Sequence, residues 1–295
     1  MKQGEFDVWM SDELQVVEDA LWAWVPSEAP ANLGLAMRYG VLDGGKRLRP
    51  LLVLAANQAV GGSREAAVRA ACAVELIHAY SLIHDDMPCM DNDVLRRGKP
   101  TVHVQFGEAQ AMLAGDAMQA LAFEVLTPEQ GMAPALQARL CALLARSAGH
   151  AGMAGGQAID LASIGRPLIE DALRDMHRRK TGALLRCSVL MGAACGQPSM
   201  AAWSALEAYG EAIGLAFQVV DDILDVTQAS ETLGKTAGKD IHNNKPTYVT
   251  VLGLEKARHH ANELRDQAQA ALARSGLADA AWLSVLADKV VERDS

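Results

Sequence analysis

The segment AFQVVDDILDV, residues 216–226, says more about the fold than any other part of the 295-residue chain. Its polar residues follow the i, i+3, i+4, i+7 spacing that places side chains on one helical face, and they are Gln218, Asp221, Asp222 and Asp225. The remaining residues are apolar, and a helix that is apolar nearly all round is buried. A solvated acidic stripe on a surface helix is the simpler alternative, but it would leave the apolar faces without partners. We therefore predict a buried helix whose acidic face borders a polar cavity.

A first acidic cluster precedes this one, in DDMPCMD, residues 85–91. Asp85 and Asp91 are spaced too widely to share a helical face at 3.6 residues per turn. Pro88 favours the end or a kink of a helix at this point. We expect a helix to end at Asp85 and Asp86, with the following turn bringing Asp91 back towards them. An acidic capping loop without a ligand is the alternative.

The two acidic clusters are costly to hold near a core without a cation. Two carboxylates ~6 Å apart repel each other by roughly 3 kcal/mol at an effective dielectric constant near 20. Mg²⁺ suits such oxygen ligands, and it prefers one or two carboxylates with water and substrate phosphates to a cage made by the protein alone. If both clusters border one cavity, the chain is expected to hold an organic diphosphate through metal ions.

Composition favours helices over sheets, since half of the residues are hydrophobic but only 4% are aromatic. Apolar residues recur at three- and four-residue intervals in nearly every long segment, and we find no strand-like alternation. The predicted helical segments are 51–60, 66–83, 109–126, 136–145, 184–194, 201–226 and 249–272. No linker divides the chain, so residues 1–295 are expected to form one all-α domain, a large helical bundle around a central cavity.

Charge and cysteine usage exclude several classes of protein. A net charge of −9 argues against a nucleic-acid-binding protein. The cysteines show no C-x-x-C spacing and are interpreted as buried, reduced thiols: Cys72, Cys89, Cys141, Cys187 and Cys195. No stretch approaches the ~20 apolar residues of a membrane span, and acidic residues precede the first apolar run, which argues against a secretory signal. A cytoplasmic protein is expected.

Basic residues are clustered despite the acidic total, which indicates a small anionic ligand. In one basic cluster, GGKRLRP (residues 44–50), two glycines precede Lys46 and Arg49. Glycines permit the backbone to approach an anion closely. The other, RRGKPT (residues 96–101), follows the first acidic cluster, and the planar fork of arginine suits bidentate phosphate contacts. A solvated basic turn is the alternative in each case.

Two other features lie near the acidic clusters in sequence. His78 is two helical turns before Asp85 on the same predicted helix, which favours a ligand role over that of a packed core histidine. The segment GHAGMAGGQAID, residues 149–160, is rich in small residues. Close helix packing is its simplest interpretation, although Gln157 and Asp160 could contact residues of the site.

The motifs together resemble those of the trans-isoprenyl diphosphate synthases, and most nearly those of the bacterial farnesyl diphosphate synthases. The resemblance spans about residues 40–250, in family order: GGKRLRP (44–50), HDDMPCMDNDVLRRGKPTVH (84–103), GMAGGQAIDL (152–161), KTG (180–182), FQVVDDILD (217–225) and GKDIHNNKPTY (238–248). The tail, residues 290–295, is less basic than tails that close over the site in relatives, so we assign it no role.

The resemblance implies an isoprenoid-synthase fold, a homodimer, and about three Mg²⁺ ions per active site with substrate bound. The implied metal ligands are Asp85, Asp86, Asp91, Asp221, Asp222 and Asp225. The residues implied to contact the allylic diphosphate are Arg96, Lys180, Thr181, Gln218 and Lys235, with Lys180 also counted among the catalytic residues. The residues implied to bind isopentenyl diphosphate are Lys46, Arg49, His78 and Arg97.

The implied reaction is head-to-tail condensation of isopentenyl diphosphate with dimethylallyl or geranyl diphosphate, by ionisation of the allylic C–O bond. In the family, bulk four or five residues before the first aspartate limits chain growth. Here Tyr80 is bulky and Ser81 is small. Together with the two extra residues between the first aspartate pair and Asp91, which the resemblance identifies as the bacterial farnesyl-type variant of the motif, they favour (2E,6E)-farnesyl diphosphate as product. A geranylgeranyl or longer-chain synthase is the alternative. A terpene cyclase is disfavoured because it has little use for the second diphosphate site. A non-catalytic subunit is disfavoured because such subunits typically lose one or both acidic clusters.

Overall fold

The computed structural model describes residues 3–42, 44–166, 168–227 and 247–293, which are almost entirely helical. The elements in chain order are α1 (Gln3–Trp24), a 3₁₀ turn (Pro30–Asn32), α2 (Leu33–Val41), α3 (Leu48–Val60), α4 (Arg64–Asp85), β1 (Leu95–Arg96), β2 (Lys99–Pro100), α5 (Val102–Phe106), α6 (Glu108–Leu126), α7 (Pro134–Ala148), α8 (Met153–Ala162), α9 (Glu170–His177), a π-helical turn (Arg178–Gly182), α10 (Ala183–Ala194), α11 (Met200–Thr227), α12 (Tyr248–Leu252), α13 (Leu254–Ala273) and α14 (Ala281–Val291). The all-α prediction is confirmed.

Two hydrophobic clusters make up the core, one around α4 and α6 and the other around α11 and α13. Helices α3 and α10 contribute side chains to both, because each is apolar on more than one face. Leu52 and Val53 of α3, for example, are both fully buried and belong to different clusters. Because α3 and α10 join the two clusters into one core, the fold supports the interpretation of residues 1–295 as one domain, which stays a prediction.

Helix α4 is the central element on the side of the first acidic cluster. It begins where the Ser63 hydroxyl accepts a hydrogen bond from Ala66 N, a capping contact that satisfies a free backbone donor. By length and composition α4 could cross a membrane, contrary to the expectation from the sequence, but 67% of its apolar window is buried inside the protein. It is therefore consistent with the core helix of a bundle, whose apolar surface is covered by neighbouring helices.

The structure differs from the predicted secondary structure at two places. The predicted helix over residues 249–272 is two helices, because Gly253 lies between them with a φ of 83°, which a right-handed helix does not allow. Residues 95–100 form a hairpin that period-2 alternation did not indicate. Its turn residues Arg97 and Gly98 both have positive φ, as a two-residue type I′ turn requires, and each strand is two residues long.

The cysteines are free thiols, and most of them are buried as expected. Cys141 is half-buried, and Cys89 is exposed on the turn that follows α4. Burial raises the pKa of the Cys187 and Cys195 thiols to about 12, so both are protonated and unreactive at neutral pH.

Candidate active site

A cavity of about 370 Å³ opens between α3, α4, α8 and the π-helical turn. Its lining combines titratable side chains with apolar side chains of α4 and α8: Arg49, His78, Tyr80, Ser81, Leu82, His84, Asp85, Met90, Met153, Ala154, Gln157, Ala158, Leu161, Lys180 and Thr181. Its volume lies within the usual range for small-molecule sites. This combination of charged and apolar side chains suits a ligand with a charged head and a hydrocarbon chain.

The first acidic cluster lies at the end of α4, as predicted. The helix ends at Asp85, and the turn that follows returns so that Asp91 N donates to Asp85 O at 2.8 Å. Burial raises the pKa of the Asp85 carboxyl to about 6, while Lys180 opposes the shift and Asp91 adds to it. Gln157 Nε2 donates to Asp85 Oδ1 at 2.9 Å, so Gln157 orients this carboxylate.

The hairpin presents Arg96 to the same cluster. The Arg96 guanidinium donates to both carboxylate oxygens of Asp86, with distances of 2.6 to 3.0 Å. Burial raises the pKa of Asp86, and the contact with Arg96 acts against that shift. Arg96 thus holds Asp86 in place in the ligand-free protein, and a bound phosphate would compete for the same guanidinium.

The second acidic cluster lies on α11, on the face that the spacing predicts. Asp222 and Asp225 are buried. Asp222 accepts hydrogen bonds from Gln218 Nε2 at 2.8 Å and from Tyr248 N at 2.7 Å. Gln218 in turn accepts a hydrogen bond from the Thr181 hydroxyl at 2.8 Å, so α11 is joined to the π-helical turn.

Lys180, Thr181 and Arg49 lie between the two acidic clusters. Lys180 acts electrostatically on Asp85, and its Nζ donates to Asp160 Oδ2 at 2.5 Å. Arg49 lines the cavity with Asp85 and also interacts with Asp221. The second acidic cluster is not part of the cavity lining among the described residues. The two clusters therefore border one region through these three side chains.

The described part of the chain contains no group of three His, Cys, Asp or Glu side chains close enough to hold a metal by themselves. The donor set nevertheless fits Mg²⁺, which keeps water and substrate oxygens among its ligands. The raised pKa of Asp85 reflects carboxylates crowded in a buried place, and a nearby cation would favour their ionised forms. A site that is completed by a diphosphate fits this arrangement better than a preformed metal cage.

The two basic clusters are brought together, although they are far apart in sequence. Arg97 Nη1 donates to Gly44 O at 2.5 Å. Gly45 has a φ of 124°, and a Cβ at this position would stand 2.7 Å from the Arg97 guanidinium. The close contact between the Gly44–Gly45 backbone and Arg97 therefore depends on glycine. Lys46 is close enough to Asp221 for the carboxylate to act on its pKa, which burial and Arg293 lower.

Arg49 and His78 both line the cavity and interact electrostatically with each other. Burial lowers the pKa of Arg49 to about 10, and its Nε has no hydrogen-bond partner among the described residues. Burial and the guanidinium of Arg49 lower the pKa of His78 well below its usual value, so its imidazole is neutral. A buried guanidinium donor without a partner, beside a neutral imidazole, is suited to receive an anionic oxygen.

The sequence interpretation missed Arg293, which lies in the tail that was assigned no role. Arg293 Nη2 donates to Asp221 Oδ1 at 3.3 Å, and its guanidinium lies 4.4 Å from the centre of the Phe217 ring. The tail therefore does reach the second acidic cluster. A single arginine in residues 290–295 was the only signal in the sequence, and charge alone does not indicate which surface a terminus contacts.

His177 and Tyr248 were also missed. Their rings stack with centroids 5.4 Å apart, and His177 Nε2 lies 3.9 Å from Asp222 Oδ2. Burial lowers the pKa of His177 to about 4, so it is neutral and packs beside Asp222 without forming an ion pair. Lys235 lies outside the described residues.

The residues predicted to limit chain length both line the cavity. The Tyr80 hydroxyl accepts a hydrogen bond from Gln119 Nε2 at 3.3 Å, and its ring meets His84 edge-on. The Ser81 hydroxyl donates to the backbone oxygen of His78, so this small side chain is turned onto its own helix. Tyr80 is the larger obstacle along the α4 wall.

Comparison with known proteins identifies strong similarities over the whole described fold. The model of the polyprenyl synthetase family matches residues 30–281. The chain is 50% identical over 264 residues to the farnesyl diphosphate synthase of Escherichia coli, covering 88% of each. It is 46% identical over 292 residues to a chloroplastic geranylgeranyl pyrophosphate synthase of Capsicum annuum, covering 98% of this chain and 79% of that one.

Solved structures agree with the sequence matches. An FPP/GFPP synthase from Zymomonas mobilis superposes with a TM-score of 0.87 at 43% identity, covering 97% of this chain and 99% of that one. A geranyltransferase from Helicobacter pylori, complexed with magnesium and isoprenyl diphosphate, superposes with a TM-score of 0.84 at 34% identity, covering 96% and 95%. The observed helical architecture is thus that of proteins with known prenyl diphosphate ligands.

Proposed function

Because the chain belongs to the polyprenyl synthetase family of transferases, which extend trans-prenyl diphosphates, we propose that it condenses isopentenyl diphosphate head-to-tail with dimethylallyl or geranyl diphosphate. The proposed products are (2E,6E)-farnesyl diphosphate and diphosphate. The observation that carries this proposal is a cavity lined by Asp85, Lys180 and Arg49 together with apolar side chains of α4 and α8.

The allylic diphosphate is proposed to bind between the acidic clusters, where Arg96, Lys180 and Thr181 provide donors and Gln218 positions Thr181. Mg²⁺, when bound, would supply Lewis-acid stabilisation of the charge that develops on the departing diphosphate. The residues proposed to hold it are Asp85, Asp86, Asp91, Asp221, Asp222 and Asp225. Apolar side chains of α4 and α8 enclose the hydrocarbon chain and exclude water, which would otherwise capture the allylic cation.

Isopentenyl diphosphate is proposed to bind at the two basic clusters. Arg97 and the Gly44–Gly45 backbone are in contact, Lys46 lies near Asp221, and Arg49 offers a buried donor. Neutral His78 can donate a hydrogen bond to a phosphate oxygen without adding charge. In this proposal the second substrate binds beside the first, so that its double bond can reach the allylic carbon.

Product length is the finer part of the proposal. The bulk of Tyr80 in the cavity wall and the similarity to the E. coli farnesyl diphosphate synthase support a fifteen-carbon product. The alternative is a geranylgeranyl or longer-chain synthase. It is favoured by relatives whose names specify geranylgeranyl or geranylfarnesyl products.

Replacing Tyr80 by alanine (Tyr80→Ala) is expected to lengthen the main product beyond fifteen carbons. The change removes the ring that narrows the α4 wall, and the space so opened admits another five-carbon unit. Chromatography and mass spectrometry of the dephosphorylated products measure the shift. Tyr80→Phe is the matched control, because it removes only the hydroxyl that Gln119 contacts and should leave product length unchanged. An unaltered product from Tyr80→Ala would contradict the gating role.

Lys46→Ala is expected to raise the KM for isopentenyl diphosphate by about tenfold or more, since one charge-assisted contact is worth roughly 1.5–3 kcal/mol. The KM for the allylic substrate should change much less. Initial-rate kinetics with each substrate varied separately make the comparison, and Lys256→Ala, an exposed lysine on α13, is the control. An effect confined to the allylic substrate would reverse the two proposed subsites.

The proposed activity is tested by incubating the purified chain with isopentenyl diphosphate and each allylic starter in the presence of Mg²⁺. Farnesyl diphosphate should be the main product by mass, and a chelator should abolish its formation. Main products of twenty carbons or more would establish the longer-chain alternative. Absence of turnover with every starter would reject the activity and favour a non-catalytic subunit.

A homodimer is also proposed, with the surface of α5 and α6 as its interface. Val104, Met112 and Leu113 are 50%, 40% and 52% exposed, and together they form an apolar area that pairing with the same surface of a second copy would bury. Sedimentation analysis of the wild type and of Leu113→Glu tests this arrangement, and a monomeric wild type would reject it.

Named relatives include chloroplast enzymes, so the cytoplasmic location stays a prediction.

A further inference from the structure

A second cavity, of about 610 Å³, lies against the same π-helical turn that contributes Lys180 and Thr181 to the active site. The turn contributes other residues to it, namely Arg178, Arg179 and Gly182. We call it the arginine cavity, after the six arginines in its lining: Arg146, Arg174, Arg178, Arg179, Arg186 and Arg274. Neither the proposed reaction nor the acidic clusters use it.

The arginine cavity is positively charged in a protein whose net charge is −9. Among the described residues, Glu211 is the only acidic one in its lining. Asp175 pairs with Arg178 and Arg179, Glu170 pairs with Arg174, and Glu207 and Glu211 lie 3.2 and 3.9 Å from Arg186. Six arginines therefore face four carboxylates. Arg146 and Arg274 have no ion-pair partner in the part of the chain that the structure describes. Two surplus cations in a concave site attract an anion.

Apart from the arginines, Glu211, Ser147 and Gln267, the lining is apolar. Ala183, Ala208, Ala212, Leu215, Leu264 and Ala270 line the cavity together with the glycines. Its volume is within the range of small-molecule sites. A ligand that contacts both the arginines and the apolar side chains has an anionic head and a hydrocarbon chain. A prenyl diphosphate, the class of compound that the proposed function makes, has both.

We propose that the arginine cavity binds a prenyl diphosphate of product length without metal, and that this binding inhibits the neighbouring active site. The identity of the ligand rests on the proposed function. The cavity differs from the active site in its charge, because guanidinium groups replace the carboxylates that need Mg²⁺. Its affinity for a diphosphate is therefore independent of divalent ions.

The π-helical turn provides the physical connection between the two sites. Gly182 packs so closely on α11 that a Cβ at Gly214 would stand 2.7 Å from its Cα. On the active-site side, Thr181 donates to Gln218 at 2.8 Å and Lys180 donates to Asp160. A diphosphate that draws Arg178 and Arg179 away from Asp175 acts on this same short turn. It would therefore displace donors that the allylic diphosphate needs.

The test compares the wild type, Arg146→Gln/Arg274→Gln and a control that removes one arginine from α7 and one from α13, Arg139→Gln/Arg265→Gln, neither of which lines the cavity. Calorimetric titration with farnesyl thiolodiphosphate is carried out in excess chelator, with melting temperatures checked for all three proteins. We expect saturable binding that is about a hundredfold weaker in Arg146→Gln/Arg274→Gln, tenfold for each arginine, and unchanged in the control. Any binding at the isopentenyl diphosphate subsite is the same in all three proteins and does not affect the comparison.

Two further ligands identify what the cavity recognises. Inorganic diphosphate should bind more weakly than the prenyl compound, and farnesol should not bind measurably. Equal affinities of the three proteins, equally tight binding of inorganic diphosphate, or binding of farnesol would each overturn the proposal.

Inhibition kinetics test the connection between the sites. With Mg²⁺ present, farnesyl thiolodiphosphate should inhibit the wild type and the control in part non-competitively towards the allylic substrate. In Arg146→Gln/Arg274→Gln the inhibition should become purely competitive, and a pattern unchanged from the wild type would refute the connection. If the chain shows no turnover, the proposed function has failed, whereas the chelator titration still decides whether the cavity binds the ligand.

Discussion

Asp85→Asn and Asp221→Asn are each expected to lower turnover by at least about a hundredfold while the fold is retained. Each change removes one negative charge from a cluster that is proposed to hold Mg²⁺ against a departing diphosphate. The rate falls because an uncharged amide binds the ion more weakly and the leaving group is less stabilised. Steady-state kinetics at saturating Mg²⁺ and substrates measure the effect.

The fold should tolerate both substitutions for different reasons. Burial raises the pKa of Asp85 to about 6, which means that its ionised form is disfavoured without a cation and an amide is tolerated. Asp221 is 40% exposed in its side chain, and its contact with Arg293 is 3.3 Å long, so its loss costs little. Asp116→Asn, an exposed position on α6, is the control. A variant that kept a near-normal rate would show that its aspartate is not a metal ligand.

Arg47→Leu is expected to lower the free energy of unfolding by about 3–5 kcal/mol, because it leaves buried carboxylates without their partner. Arg47 belongs to the basic cluster of residues 44–50 but is buried away from the cavity. Its guanidinium donates to Glu18 at 2.6 Å, to Glu75 at 2.6 Å and to the backbone oxygen of Val41 at 2.5 Å. Urea denaturation measures the loss.

Two further variants distinguish a buried ion pair from loss of packing alone. Arg47→Leu/Glu75→Leu should recover part of the lost stability, since it also removes the unpaired carboxylate. Arg258→Leu removes an exposed partner of Glu255 and should cost no more than about 1 kcal/mol. A loss for Arg47→Leu as small as that for Arg258→Leu would mean that water reaches Glu75 in the folded protein.

Most helices could be predicted from the sequence because the pattern that buries them is local. The segment predicted over residues 201–226 is observed as Met200–Thr227, since its apolar residues recur at helical spacing throughout. The hairpin at residues 95–100 was missed because two-residue strands are too short for alternation to show. The break at Gly253 was missed because a lone glycine inside a helical pattern is usually tolerated.

Local pattern thus determined the helical class, the acidic face of α11 and the end of α4 at Asp85, since each depends on spacing within a few turns. Tertiary structure alone decided that Arg97 meets the Gly44–Gly45 backbone, that Arg293 reaches Asp221 and that six arginines surround one cavity. These contacts join residues that are distant in sequence, and helical periodicity says which face of a helix is buried but not which neighbour covers it. The partner is chosen by the packing of the whole bundle.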